Sequence, residues 1–98
     1  MITKQQFIEV INCVRESENF CTELSQYGVD VWSTPSVRFV YQLSDIIINT
    51  NFTEKGIDII NSWLYEADSD KPVIYIGDET QVIYTADELW ETVKPYLL

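Results

Sequence analysis

Gly56-Ile57-Asp58-Ile59-Ile60-Asn61-Ser62-Trp63-Leu64-Tyr65-Glu66 leads through Ala67-Asp68-Ser69-Asp70-Lys71-Pro72 into Val73-Ile74-Tyr75-Ile76-Gly77-Asp78-Glu79-Thr80-Gln81-Val82-Ile83-Tyr84, and this stretch decides the fold. Its first part sets Ile57, Ile60 and Leu64 on one line with Ile59 and Trp63 beside them, the period of a helix capped by Thr53 and running to Glu66. Glu54 and Asp58 near its amino end complement the helix dipole. Gly56 costs roughly 1 kcal/mol against Ala inside a helix; in the first turn it costs less and admits a close packing contact. The last part of the stretch changes to a period of two, with Val73, Tyr75, Val82 and Tyr84 alternating with Ile74, Ile76 and Ile83. A turn over Gly77 to Gln81 folds these runs into a β-hairpin with one face of Ile and one of Val and Tyr. Two strands alone are marginal in water, so the Ile face is expected to pack on helices, or the hairpin to gain a further strand from another copy.

Working outward, Thr3 and Gln6 form a capping box ahead of Phe7, Ile8, Ile11, Val14, Phe20, Cys21 and Leu24, which predicts a helix from about Lys4. The polar run Arg15 to Asn19 leaves two readings, a break near Ser17 or a solvated face on a helix continuing to Tyr27, with Gly28 as the stop. Gly28 to Ser33 reads as a loop that tucks Val29, Val31 or Trp32 on the core. Thr34-Pro35 has the cap and first-turn chemistry of a second helix. Val37, Val40, Tyr41, Ser44, Ile47 and Ile48 give its buried stripe, and Phe39, Leu43 and Ile46 widen it until the helix is apolar around most of its circumference. That pattern predicts a central helix, with a self-association surface as the alternative. Asn49-Thr50-Asn51 reads as a turn. Beyond the hairpin, Thr85 and Glu88 make a second capping box for a helix with Leu89, Trp90, Val93 and Leu97 on its apolar side, ended or bent by Pro95. The expectation is an α+β fold: one domain over residues 1–98, about four helices packed with a hairpin in the C-terminal half.

Composition narrows the function. An apolar fraction of 46% with six Tyr, four Phe and three Trp provides a real core without disulfides or metal. Cys13 and Cys21 fall on one expected helix, roughly 12 Å apart by helical rise, too far to pair. Unpaired thiols, an amino terminus without a signal-type apolar run, and no membrane-length apolar segment point to a cytoplasmic chain. Sixteen acids against six bases and no His give a formal net charge of −10. A field of that sign disfavours direct contact with nucleic acid or anionic membrane and favours a basic protein partner; acid that merely keeps the chain soluble is the competing explanation.

The absence of His excludes the usual triads and imidazole metal sites, and no glycine-rich phosphate cradle occurs. Glu66-x-Asp68-x-Asp70 has the alternation of a calcium loop, but Lys71-Pro72 stands where such a loop needs its turn glycine. No cofactor and no catalytic residue is therefore expected. The charge itself is concentrated: Glu66, Asp68, Asp70, Asp78, Glu79, Asp87, Glu88 and Glu91 with Lys71 as the one base carry −7 of the −10. These acids fall on a loop, a hairpin tip and a first helical turn, where side chains are exposed, and Tyr65, Tyr75, Tyr84 and Trp90 are interleaved with them. An anionic patch with exposed aromatics suits a basic groove that normally holds nucleic-acid phosphates; burial of the aromatics in the core is the competing reading.

At Gly56-Ile57-Asp58, Trp63-Leu64-Tyr65-Glu66 and Ala86-Asp87-Glu88-Leu89-Trp90 the chain resembles small acidic proteins encoded by bacteriophages and integrated mobile elements of Gram-positive bacteria. The resemblance spans roughly the whole chain and carries no catalytic signature. It implies a phage or mobile-element origin and a role in binding and blocking a host nuclease, defence protein or other nucleic-acid-binding protein, as anti-CRISPR proteins and DNA mimics do. The alternatives from other classes are a homo-oligomeric structural or accessory phage protein, such as a homodimer, and a carboxylate-metal enzyme.

Overall fold

The hairpin and the two helices around it in sequence form the frame on which the rest of the chain packs. The computed structural model describes residues 2–28, 35–66 and 69–98, the side chains of residues 19–25 excepted. Its elements are α1 (Lys4–Ser25), α2 (Pro35–Asn51), α3 (Glu54–Glu66), β1 (Val73–Ile76), β2 (Glu79–Val82) and α4 (Ala86–Val93), followed by a 3₁₀ turn over Lys94–Tyr96. Among the described residues, four helices and a two-stranded antiparallel hairpin in the C-terminal half make this an α+β fold. Among the described residues no helix is long and apolar enough to cross a membrane.

α1 is started by the expected box, with the Gln6 amide donating to Thr3 Oγ1 at 3.2 Å and the Thr3 amide to Gln6 Oε1 at 3.0 Å. Its backbone runs unbroken past Ser17; Glu16 faces solvent, while the half-buried Arg15 lies over the Trp63 ring at 5.4 Å. Gly28, at φ +75°, supplies the left-handed residue at which the chain leaves that helix. The readings for Val29, Val31, Trp32, Thr34 and Asp68, and for the side chains of Phe20, Cys21 and Leu24, lie outside the described residues.

α2 differs from expectation in two ways. It is not central: Val37, Ser44 and Ile48 are buried on one side, while Phe39, Leu43 and Ile46 are exposed on the other. The helix also continues through Asn49-Thr50-Asn51 instead of turning there. Thr50 Oγ1 and Asn51 Nδ2 donate back to the carbonyls of Ile46 and Ile47, both at 2.7 Å, which keeps polar side chains compatible with the last helical turn.

α3 begins immediately afterwards, capped by Thr53 Oγ1 accepting from the Gly56 amide at 3.4 Å. Gly56 has a packing reason: a Cβ there would lie 2.9 Å from the Tyr96 Cβ and 3.3 Å from that of Phe52. The segment after α4 returns to this junction, where the Thr53 amide donates to the Tyr96 carbonyl at 2.8 Å and the Leu98 amide to the Asn51 carbonyl at 3.0 Å. Ile2 joins the same point through its amide to Asn51 Oδ1 at 3.1 Å.

The core is one cluster of Phe7, Ile11, Ile48, Phe52, Ile59, Ile60, Trp63, Ile74, Ile83, Leu89 and Val93 with their neighbours. Phe7 sits at its centre, edge-on to Phe52 at 5.6 Å and tilted against the half-buried Trp90 at 5.4 Å. Each such side chain removed from water contributes about 1.5–3 kcal/mol.

Candidate acidic interaction surface

The hairpin turn is shorter than the sequence reading had it, and the acidic side chains are arranged accordingly. Val73 pairs with Val82 and Ile76 with Glu79, so only Gly77 and Asp78 form the loop. Gly77 has φ +64° and Asp78 is not in the left-handed region, which is the Gly-first turn whose twist matches that of the strands. With strand pairing resuming at Glu79, period-two alternation sets Glu79 and Gln81 on the same face as Ile74 and Ile76. That face is turned to the helices: Ile74 and Ile83 are buried, and Gln81 Nε2 donates to Thr92 Oγ1 of α4 at 3.0 Å.

This docking opens a groove of about 610 Å³ between β2 and α4, lined by Ile76, Glu79, Thr80, Gln81, Glu88, Glu91, Thr92 and Tyr96. Three of the sequence-selected acids therefore share one groove, Glu79 from β2 and Glu88 and Glu91 from α4. Glu88 is occupied there as the box partner of Thr85: its amide donates to Thr85 Oγ1 at 3.2 Å, and its carboxylate accepts from the Tyr84 amide at 3.4 Å. Glu91 is paired with Lys94 and, at 3.8 Å, with Lys4. The Lys94 hydrogen bond, assisted by the charges of Lys94 and Lys4, holds the Glu91 carboxyl below its ordinary pKa. Asp87 also pairs with Lys4, at 3.4 Å. Glu79, by contrast, has no basic partner among the described residues.

A second groove, about 500 Å³, runs on the other side of the hairpin between α3 and β1. Tyr65, Glu66 and Tyr75 line it with Asn61, Ser62, Val73 and Ile74. Tyr65 is 88% exposed and Tyr75 77%, whereas Trp63, on the opposite side of α3, is fully buried and donates its Nε1 to the Ile83 carbonyl at 2.8 Å. Tyr84, 59% exposed, follows β2 and lines neither groove. Asp70 is exposed in the loop before β1 and Asp78 at the hairpin tip.

The hairpin thus separates a polar groove holding Glu79, Glu88 and Glu91 from an aromatic groove holding Tyr65, Glu66 and Tyr75. Asp87 and Glu91 are partly neutralised by lysines; among the described residues Glu66, Asp70, Asp78 and Glu79 are not in ion pairs. Sequence reading missed Gln81, Thr92 and Tyr96 as groove residues. Taking Gly77-Asp78 as a two-residue turn would have placed Gln81 on the helix-facing side, whereas Tyr96 arrives only through the return of the chain after Pro95. Among the described residues, no three carboxylate or thiol groups converge closely enough to hold a metal ion. No protein family matches this chain, and no curated protein or solved structure was found to be similar to it.

Proposed function

We propose that this chain is a non-enzymatic acidic binding protein that uses the hairpin and its flanking grooves to occupy a basic surface of a partner protein. The observation that carries this reading is the set of unneutralised carboxylates Glu66, Asp70, Asp78 and Glu79 around a hairpin that also bears the exposed Tyr65 and Tyr75. Carboxylates presented without their own cations keep their field available to an incoming guanidinium or ammonium, and clefts concentrate that field. Exposed tyrosines add broad contact area at little entropic cost, and an arginine stacks well on them. A basic surface of this kind is what nucleic-acid-binding proteins present to phosphates, so the partner class is a nuclease, defence protein or other nucleic-acid-handling protein, which the chain blocks by competing for the phosphate site.

The test is affinity capture from a bacterial lysate at low and moderate salt, with wild-type chain and with a variant carrying Glu66→Lys, Asp70→Lys, Asp78→Lys and Glu79→Lys. A basic nucleic-acid-binding protein retained by wild type at low salt, lost at moderate salt, lost with the variant and displaced by duplex DNA supports the reading. Retention that survives both salt and charge reversal removes the acidic side as the site.

A further inference from the structure

A separate surface, on α2, is apolar. Phe39, Leu43 and Ile46 are 63%, 44% and 60% exposed, and their spacing sets them on the side of the helix opposite the buried Val37, Ser44 and Ile48. Past Leu43 the band adjoins a mainly apolar groove of about 510 Å³ between α2 and α1, which Val10, Val40 and Ile47 also line and where Gln6 and Glu9 supply polar groups. We propose that this band is a homodimer interface in which α2 packs antiparallel against α2 of a second copy of the chain.

Charge selects a second copy over a basic partner. Arg38 and Asp45 are the only charged residues of α2, so the helix is neutral in a chain of formal net charge −10. A basic protein gains little by lying on it, whereas two copies meeting along α2 bring only Asp45 of that helix, and Glu9 at the edge of the adjoining groove, near the seam. The pattern is also self-complementary. About a two-fold axis between Gln42 and Leu43, Phe39 of each copy comes level with Ile46 of the other. Arg38 and Asp45 are both exposed on one margin of the band, two helical turns apart. In an antiparallel two-fold pair like margins meet, so each Arg38 is within reach of Asp45 of the other copy, and both ion pairs form by symmetry.

The two surfaces respond oppositely to salt. Screening weakens an acidic contact with a basic partner, but it relieves the long-range repulsion between two chains of the same sign and so strengthens the dimer. Sedimentation velocity across a concentration series at two salt concentrations, with circular dichroism on each variant to confirm folding, tests the proposal. Wild type is expected to pass from monomer to dimer with rising concentration, and at lower concentration in the higher salt. Ile46→Glu, a substitution on an exposed position, is expected to stay monomeric. Arg38→Asp is expected to weaken the dimer roughly tenfold, since two attractive pairs become repulsive ones; adding Asp45→Arg to it is expected to restore wild-type association. Wild type that stays monomeric throughout, a folded Ile46→Glu variant that still dimerises, or a charge swap that fails to restore association overturns it. None of these results depends on whether the hairpin side captures a basic partner.

Discussion

At the scale of single residues, Gly56 shows how one position can oppose a propensity rule and still be the right choice. Alanine is better than glycine in a helix by roughly 1 kcal/mol, but here the added carbon would meet the Tyr96 Cβ at 2.9 Å. A Cβ is fixed to its backbone and cannot swing aside, so the segment after α4 would have to move, and overpacking of this kind costs about 1–3 kcal/mol. Gly56→Ala is therefore expected to lower stability by about 1 kcal/mol net, read as a lower midpoint in urea unfolding; a rise in the midpoint would mean that the return segment is free to shift. Glu91 makes a different point. Its carboxyl is held below the ordinary value, first by the Lys94 hydrogen bond. A carboxyl with a lowered folded-state pKa stabilises the fold above its unfolded value, and that contribution is lost as pH falls through the folded value. In Lys94→Gln the Glu91 titration followed by NMR is expected to move up toward the ordinary carboxylate range, because the hydrogen bond that lowers it most is gone. No movement would show that Lys94 is not the cause.

At the scale of elements, the tie between α3 and the hairpin is the indole of Trp63, which donates to the Ile83 carbonyl at 2.8 Å inside the core. Trp63→Phe retains most of the apolar volume but leaves that buried carbonyl without a donor, at a cost of about 1–3 kcal/mol. The expected signature is a stability loss of that size with faster amide exchange at Ile74 and Ile83; unchanged exchange there would mean that the hairpin is held by its apolar face alone. The elements also show what the sequence can and cannot disclose. Helices and hairpin were legible because the change from a 3.6-residue to a two-residue period at Pro72 is a local signal, and Thr3, Thr85 and Gly28 mark helix boundaries by local chemistry. The exposed side of α2 was not, since a helix apolar on nearly every side gives periodicity no means of choosing its buried face. The length of α2 was misjudged at Asn49-Thr50-Asn51, where side chains that favour turns bond to the preceding helical carbonyls instead.

At the scale of the whole molecule, most of the selected acids and the exposed apolar band of α2 lie on different elements. The acids selected from the sequence flank the hairpin and begin α4, and the neutral α2 presents Phe39, Leu43 and Ile46. The concentration of acid in the last third of the chain was legible as a count. Its division was not: Glu79 meets Glu88 and Glu91 only through the hairpin register and the Gln81 to Thr92 contact, and Lys4 reaches Asp87 and Glu91 across almost the full length of the sequence. Those long-range pairings decide which carboxylates keep their field and which spend it within the molecule. They leave the end of α3, the loop before β1, the hairpin tip and the start of β2 as the places of unpaired acid on which the proposed function rests.

The central claim is that this unneutralised acid binds a basic partner. Its most direct measurement is the dissociation constant for the captured partner against salt concentration, for wild type and for the variant with lysine at positions 66, 70, 78 and 79. The account expects wild-type affinity to fall steeply from low to moderate salt and the variant to show no measurable binding at either while keeping its fold. Wild-type affinity that does not change with salt, or a folded variant that binds as tightly as wild type, would contradict it.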